Sequence, residues 1–357
     1  MNQTACKRNY SLDVLRIIAT VLIVFHHYQQ ATGAFFEGYL NFFNGRFYFG
    51  YIVEFFFLLS GFFMVNYRNW IENLGGSFKG FFLKRITRLL PLVLVSGITY
   101  EFFLYWYQRI CQQDWFGIKI NIWGVIIDAI GVQDGWAFAN PCVNNPTWYI
   151  SVLILCYVIF YFLTYIANRL RINSDYLYIF MIFLGCGIQA WNINLPFLNG
   201  STARGFFAFF GGLMLSEWLK KHKINIYDVI LSFFVIGLMT YFMLVHWEWV
   251  GGNIQYLMTF CYYPALIILF STKPMEKLFQ HPTIGFLGKV TYDVYIWHNP
   301  NFLLMYVLMN LMNKNYNLDS IKAMVLYTFL CFIAGILSYF CLEKPISNKL
   351  IALRSDP

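Results

Sequence analysis

Long apolar runs separated by short polar segments extend along nearly the whole chain. A bilayer core about 30 Å thick needs roughly 20 apolar residues in a helix, and such runs lie at about 11–30, 49–67, 89–108, 147–167, 176–191, 203–219, 228–246, 253–271, 290–312 and 322–342. The runs are longer than the roughly 9–11 residues of a transmembrane β-strand, and they do not alternate in polarity. The pattern predicts an all-α, polytopic membrane protein with about ten transmembrane helices, built as one integral membrane domain over residues 1–357.

Composition excludes most other classes of protein. The chain is 59% hydrophobic and 12% charged, whereas a soluble domain is about 45–50% apolar and about 25% charged. A soluble enzyme, a disordered protein, a coiled coil and a disulfide scaffold are therefore excluded. The first run contains Asp13 and Arg16 and has no small-residue cleavage site, so we expect a retained first span and not a signal peptide.

The distribution of positive charge predicts the orientation. The formal net charge of +8 would suit a nucleic acid only if a basic face were exposed to water, and we predict no nucleic-acid partner. Between the predicted spans, 19 Lys and Arg residues fall on the N-terminal side and 6 on the other, together the 25 of the sequence. The positive-inside rule then places both termini in the cytoplasm, with the protein in the cell (inner or plasma) membrane.

Two segments between the runs are amphipathic or semi-apolar. Residues 120–132 are too short to span a bilayer and fit a re-entrant or interfacial helix. The segment Lys79 to Arg88 mixes aromatic and basic residues, and we expect it to lie in the cytoplasmic interface. The predicted external loop carries Cys111 and Cys142, which could form a disulfide in an oxidising compartment. The cysteines inside the spans fit buried thiols.

Ionisable residues inside spans are the strongest functional signal, because each costs roughly 2.5–3.5 kcal/mol at a helix centre. In the first span Arg16 and His27 are eleven residues apart, which puts them within about 20° of each other and about 16 Å apart along the axis. Asp13 lies on the same face at pairing distance from Arg16, whereas His26 points about 80° away. The alternative is an arginine that snorkels and histidines that pack inside the bundle.

The ninth run is dense in polar groups and contains Pro300. Because proline has no N–H, the carbonyl of Ile296 loses its helical partner, and we expect a kink. Asp293, Tyr295 and His298 fit the wall of a polar cavity, with a structural role as the alternative.

Near the cytoplasm, Arg85 and Arg88 are three residues apart and could clamp a phosphate together. Anchoring by the positive-inside rule also explains them.

Taken together, these segments resemble acyltransferase family 3 of membrane-bound acyltransferases. The matching residues, in the family's order, are Leu12-Asp13-x-x-Arg16 with His27, Glu54-Phe-Phe-Phe-Leu-Leu-Ser60-Gly61-Phe62, Arg85-x-x-Arg88 with Leu90-Pro91, Pro146-Thr-Trp148-x-x-Ser151, Gly288-Lys-Val-Thr-Tyr292-x-x-Tyr295-x-Trp297-His298, and Leu342-Glu343-Lys344-Pro345. The resemblance extends over nearly the whole chain, and no hydrolase-type extracytoplasmic domain is expected within it.

The resemblance implies transfer of an acyl group, usually acetyl, from cytoplasmic acyl-coenzyme A to a hydroxyl of a cell-surface sugar or polysaccharide precursor. His27 would act as general base with Arg16 and Asp13 beside it, and a covalent acyl-histidine is a variant. Arg85 and Arg88, with Arg16, would bind the donor. The expected acceptor or site-lining residues are Glu54, Ser60, Trp148, Asp293, Tyr295 and His298. We expect no metal and no permanently bound cofactor, since acetyl-coenzyme A would be a substrate.

A transporter or flippase for a glycolipid or small solute is the alternative function. In that case buried carboxylates would relay protons or bind substrate; the candidates are Asp13, Glu54, Glu101 and Asp293. Such folds are commonly built from repeats with matched broken helices in the two halves, and we detect neither in this sequence.

Overall fold

The computed structural model describes residues 8–38, 41–43, 45, 48–136, 143–246, 248, 251–314 and 316–355, with side chains described up to residue 349. Its helices are α1 (Tyr10–Thr32), α2 (Ile52–Phe62), α3 (Val65–Leu74), α4 (Phe78–Cys111), α5 (Ile122–Ile130), α6 (Trp148–Leu170), α7 (Ser174–Ala190), α8 (Gly200–Lys221), α9 (Ile226–Val245), α10 (Ile254–Leu257), α11 (Tyr263–Phe270), α12 (Lys273–Leu278), α13 (Pro282–Leu311), α14 (Ile321–Ser338) and α15 (Lys344–Ser355). Within the described ranges there is no β-strand beyond one isolated bridge, so the predicted all-α class is confirmed.

Six helical segments are long and apolar enough to cross a membrane by length and composition, which confirms a polytopic membrane protein. They are Tyr10–Thr32, Phe78–Cys111, Asn145–Leu170, Ile226–Val245, Gly251–Phe270 and Ile321–Lys349. The other predicted spans also fall on helices. Of these, α2 and α7 are short, with 11 and 17 residues, and α8 and α13 are longer but more polar. A total of about ten spans stays a prediction.

Side-chain caps start several helices where the sequence supplies Asn or Ser. The Asn9 side chain accepts a hydrogen bond from the Leu12 N–H at the start of α1, and Gly33, with φ of 68°, ends that helix. Asn199 and Asn225 form capping boxes at the starts of α8 and α9. Such caps satisfy N–H groups that the helix itself leaves unpaired, which matters most next to an apolar solvent.

The predicted interfacial segment 79–88 is not a separate element. It forms the beginning of α4, a single helix of 34 residues that runs through Pro91. Phe81 in this segment is fully buried and contacts the rings of Tyr67, Tyr157 and Phe160. Packing against other helices therefore holds its apolar side, in addition to any contact with lipid. The semi-apolar stretch 120–132 does form a short helix, α5, as expected.

Helices α2 and α8 approach each other through two glycines. A Cβ on Gly61 would overlap the backbone carbonyl of Phe209, and a Cβ on Gly212 would overlap that of Leu58. Small residues allow this close approach of helix backbones in a membrane. The contact fixes α8 beside α2 and so determines which side chains of the two helices can meet.

The long helix α13 packs against α1, α4 and α14. It continues without a break through Pro300, and the Ile296 carbonyl, left without a helical partner by that proline, accepts a hydrogen bond from Asn144 Nδ2 at 2.9 Å. Asn144 also donates to Ser96 Oγ at 3.3 Å and accepts from Asn299 Nδ2 at 3.1 Å. The loop before α6 is thereby joined to α4 and α13.

Candidate active site

Two cavities lie along the same face of α1, one near each end of the helix. The near cavity, at the end where α1 begins, has a volume of about 270 Å³ and is lined by Arg16, Thr20, Ser60, Tyr149 and Tyr295 among others. The far cavity, toward the end of α1, has a volume of about 740 Å³ and includes His27, Gln30 and Asn299 in its wall. Because α1 is continuous over Tyr10–Thr32, Arg16 and His27 lie on one face of it, each in the wall of a different cavity.

The near cavity and a wide opening beside it are strongly basic. The opening has a volume of about 750 Å³ and shares Arg16, Phe63, Arg88 and Gly288 with the near cavity. Together the two have six basic side chains in their walls and only two acidic ones, Asp13 and Glu343. The basic residues are Arg8, Arg16, Arg85, Arg88, Lys220 and Lys289. Such a surface attracts an anionic ligand.

Arg85 and Arg88 both line the near cavity, as their spacing predicts. The Arg85 guanidinium lies over the Tyr67 ring, 4.1 Å from its centroid, and its Nε is buried with no hydrogen-bond partner within the described part of the chain. Arg88 has a 58% exposed side chain and lies 3.8 Å from Glu343. Stacking holds Arg85 in place while leaving donor capacity for an anion.

The predicted pair of Asp13 and Arg16 is present, at 3.2 Å between Oδ1 and Nη1. Asp13 is buried and also accepts from Arg8 Nε at 2.5 Å, a partner that the spacing of the first span could not reveal because Arg8 precedes the helix. A Cβ on Gly288 would meet the Asp13 side chain at 2.7 Å. The glycine thus makes room for this carboxylate between α1 and α13.

The His27 side chain is part of the wall of the far cavity. Its Nδ1 lies 2.9 Å from Gln30 Oε1, and because an amide oxygen only accepts, the ring donates from Nδ1. The neutral imidazole then carries its lone pair on Nε2. This is the tautomer that a general base acting through Nε2 requires.

His298 stacks on His27, with ring centroids 5.0 Å apart and planes at 28°. The His298 ring is fully buried, and its Nδ1 lies 2.6 Å from the Tyr295 carbonyl, so Nδ1 carries the proton. Its Nε2 is buried without a hydrogen-bond partner among the described residues. The structure therefore joins the two histidines of the first and ninth predicted spans, and His298, predicted to line the site, supports His27 from behind and is in the wall of neither cavity.

The near and far cavities share no lining residue, and the near cavity is lined by a layer of three hydroxyl-bearing side chains, Ser60, Tyr149 and Tyr295. Tyr295 donates from its hydroxyl to the Pro146 carbonyl at 2.8 Å, and the Ser60 and Tyr149 hydroxyls are 3.1 Å apart. The Tyr149 and Tyr295 rings meet edge to face at 5.7 Å. Ser60 and Tyr295, both predicted to line the site, therefore line the near cavity.

Comparison with known proteins identifies the family of this chain. The family model described as an acyltransferase domain, Acyl_transf_3, matches residues 9–343. The chain belongs to acyltransferase family 3. The resemblance found in the sequence is thereby confirmed, and it covers α1, α4 and α13, the helices that carry the basic cavity and the stacked histidines.

One curated relative is the peptidoglycan O-acetyltransferase OatA of Listeria monocytogenes serovar 1/2a (strain ATCC BAA-679 / EGD-e), 21% identical over 378 aligned positions. The alignment covers 97% of this chain and 57% of that protein, so the chain spans little more than half the length of this relative. No solved structure matches.

Glu54 of this family member makes a buried ion pair with Arg204 and does not line either cavity of the site. The two groups meet side by side at 2.6 and 2.8 Å, and Arg204 also donates to the Gly50 carbonyl at 2.7 Å. The Arg204 guanidinium lies over Trp148, 5.0 Å from the ring centroid. Glu54 and Trp148, predicted to line the site, thus hold α2, α6 and α8 together, and the sequence did not identify Arg204 as their partner.

Asp293 is likewise buried beside the site and lines none of the cavities described. Its Oδ1 accepts from Ser338 Oγ at 2.7 Å, and Ser338 in turn accepts from Trp297 Nε1 at 2.7 Å. Its Oδ2 has no hydrogen-bond partner among the described residues. This network joins α13 to α14 through the predicted motif of the ninth span.

Two further features lie around the far cavity. Burial raises the pKa of Asp128 in α5 to about 7, although its Oδ2 accepts hydrogen bonds from the Val143 N–H and the Thr147 hydroxyl. Glu101 lines the cavity and accepts a hydrogen bond from the Asn121 N–H at 3.0 Å.

The predicted disulfide between Cys111 and Cys142 stays a prediction, because Cys142 lies outside the described residues.

Proposed function

We propose that this protein transfers an acetyl group from acetyl-coenzyme A, bound at the near cavity, to a hydroxyl of a surface saccharide bound at the far cavity. The observation that carries the proposal is the arrangement along α1, which presents Arg16 to the basic near cavity and His27 to the far cavity. The two residues lie about 16 Å apart along the helix. A long, flexible donor with an anionic head would suit this separation.

The basic residues support binding of the donor's phosphates. Arg85, held by its stack on Tyr67 and left with an unpartnered Nε, would bind a phosphate oxygen, with Arg88 and Lys289 nearby on the same joined surface. The thioester end would then pass the Ser60–Tyr149–Tyr295 layer toward His27. Because the two cavities share no lining residue, we expect this layer to move when the donor binds.

His27 would act as the general base. Its Nε2 takes the proton of the acceptor hydroxyl as that oxygen attacks the thioester carbonyl carbon. The carbon–sulfur bond then breaks, and the leaving thiolate receives the proton from His27. Gln30 holds the Nδ1–H during both steps, and the stacked His298 fixes the plane of the ring.

The acceptor belongs to the outer surface by the predicted orientation. Since the matched relative is a peptidoglycan O-acetyltransferase, a polysaccharide of amino sugars is the first acceptor to test. Asn299, Asn121 and Glu101 supply hydrogen-bonding groups to the wall of the far cavity, and groups of this kind can orient sugar hydroxyls.

Purified protein in detergent with radiolabelled acetyl-coenzyme A tests the proposal. His27→Ala should lower turnover about 10²–10⁴-fold and leave donor affinity nearly unchanged. His26→Ala is the matched control, because His26 is buried and its Nδ1 binds the Phe42 carbonyl at 2.8 Å. That variant should lose stability while its folded fraction keeps its turnover. Wild-type turnover in His27→Ala would reject His27 as the base.

Donor binding is tested separately. Arg85→Ala should weaken the affinity for acetyl-coenzyme A by about tenfold or more, the loss of a charge-assisted hydrogen bond. Lys79→Ala removes a positive charge from the exposed start of the same helix, outside both parts of the basic surface, and should bind normally. Equal weakening in both variants would indicate general attraction of charge in place of a specific phosphate site.

A further inference from the structure

A separate side cavity lies between α7, α8, α10 and the part of the chain that precedes α6, and Arg204 of the Glu54–Arg204 ion pair is in its wall. It has a volume of about 580 Å³, within the range of about 300–1,000 Å³ that is usual for small-ligand sites. Its wall includes Asp134, Trp136, Arg204 and four side-chain amides, those of Gln189, Asn194, Asn199 and Gln255. It has no lining residue in common with the far cavity.

The chemistry of this wall favours a neutral polar ligand. Four side-chain amides supply both donors and acceptors, whereas Asp134 and Arg204 are the charged groups in the wall. Each is already engaged, Asp134 with Ser201 Oγ at 2.6 Å and Arg204 with Glu54 at 2.6 Å. A phosphate or a free carboxylate would therefore find no uncompensated positive charge here.

One amide is left without a partner. The Gln189 Oε1 atom is buried and has no hydrogen bond among the described residues, and a buried acceptor without a partner destabilises the protein. A ligand hydroxyl or amide N–H would satisfy it. Trp136 adds an aromatic surface, and its indole N–H is already bound to the Ser151 carbonyl at 3.1 Å, which fixes the ring.

Described residues of the chain before α6 contribute to the walls of both the side cavity and the far cavity. Asp134 and Trp136 line the side cavity, while Val143 and Asn145 of the same segment line the far cavity. The Asp134 backbone carbonyl accepts from Ser151 Oγ at 2.5 Å, so one wall is anchored to α6.

We infer that the side cavity binds a neutral saccharide unit of the acceptor polymer, away from the hydroxyl that reacts. The inference rests on the proposed function in that the polymer is the acceptor. Amide side chains match the hydroxyl and acetamido groups of amino sugars, and the indole face of Trp136 can stack on the apolar face of a pyranose ring. The site would make the protein prefer an oligosaccharide to a single sugar.

Binding without donor tests the inference directly. The probes are N-acetylglucosamine and its β-1,4-linked hexamer, measured by calorimetry on the full chain in detergent. We expect the hexamer to bind more tightly than the monomer, and Gln189→Leu and Trp136→Ala to weaken hexamer affinity about tenfold, the loss of one good contact. Trp191→Ala is the matched control, because Trp191 is 83% exposed and outside the cavity.

The outcomes separate this inference from the proposed function. Among the residues that the structure describes, the Gln189 Oε1 atom has no hydrogen bond to lose, so Gln189→Leu should fold normally. This variant therefore tests the inference even if Trp136→Ala fails to fold. If both variants weaken hexamer binding but the protein transfers no acetyl group to any sugar, the side cavity is a saccharide site and the acyltransferase proposal is rejected. Equal affinity for monomer and hexamer, no hexamer binding at all, or variants that bind like wild type would overturn the inference.

Discussion

Asn144 should be one of the most important polar residues for stability, because it compensates for Pro300. The proline removes the helical partner of the Ile296 carbonyl, and Asn144 Nδ2 supplies a replacement at 2.9 Å in a fully buried setting. The perturbation to make is Asn144→Leu, which keeps the size of the side chain and removes its hydrogen bonds. It leaves the Ile296 carbonyl and the Asn299 amide without this partner, whereas Ser96 Oγ keeps its hydrogen bond to the Val93 carbonyl.

The magnitude follows from the number of groups left unpaired. Each buried polar group without a partner costs about 1–3 kcal/mol, while hydrogen bonds between membrane helices average about 0.6 kcal/mol in measured cycles. For two such groups we expect the free energy of unfolding to fall by about 2–4 kcal/mol, a value that lies between the totals given by these two scales. At about 2 °C per kcal/mol for a chain of this size, the melting temperature should fall by about 4–8 °C.

The assay is thermal unfolding of the purified protein in detergent, followed by circular dichroism at a fixed heating rate. Pro300→Ala provides the decisive second variant, since alanine restores the N–H that bonds Ile296 within the helix. The Asn144→Leu loss should be smaller in the Pro300→Ala background, giving a positive coupling in a double-mutant cycle. Strict additivity of the two substitutions would refute the compensation of Pro300 by Asn144.

Three further changes test other parts of the fold. Gly61→Ala should prevent the packing of α2 on α8, because the added Cβ would overlap a backbone carbonyl, and the yield of folded protein should fall sharply. Gly237→Ala is the control, because nothing lies within 4 Å of the added Cβ; it should leave the stability unchanged or raise it by about 0.5–1 kcal/mol. Arg204→Met should lower stability by about 3–5 kcal/mol by leaving the Glu54 carboxylate buried without its partner, and adding Glu54→Gln should recover much of that loss in the same unfolding assay. Burial raises the pKa of Asp128 to about 7, so this carboxyl binds its proton more tightly in the folded state, and stability should fall as pH rises from about 4 to about 7 and level off above that. Asp128→Asn should remove this pH dependence and be more stable than wild type at pH 8 by up to about 4 kcal/mol. An unchanged pH dependence in the variant would show that another group titrates.

Periodicity within one helix was enough to relate Asp13, Arg16 and His27. Their spacing along α1 fixes both their common face and their separation, because an isolated α-helix has a known rotation and rise per residue. The same reasoning brought Arg85 and Arg88 to one cavity wall. Apolar length likewise predicted the helical class and the membrane setting, since a bilayer demands satisfied backbone groups over a set thickness.

Contacts between helices were decided by the tertiary structure. The stack of His27 on His298, the pairing of Glu54 with Arg204 and the bond from Asn144 to Ile296 each join residues more than a hundred positions apart. Apolar spans look alike to one another from sequence, so periodicity does not say which neighbours they take or at what depth they meet. That choice comes from close contacts such as Gly61 against α8, where only the folded bundle fixes the register.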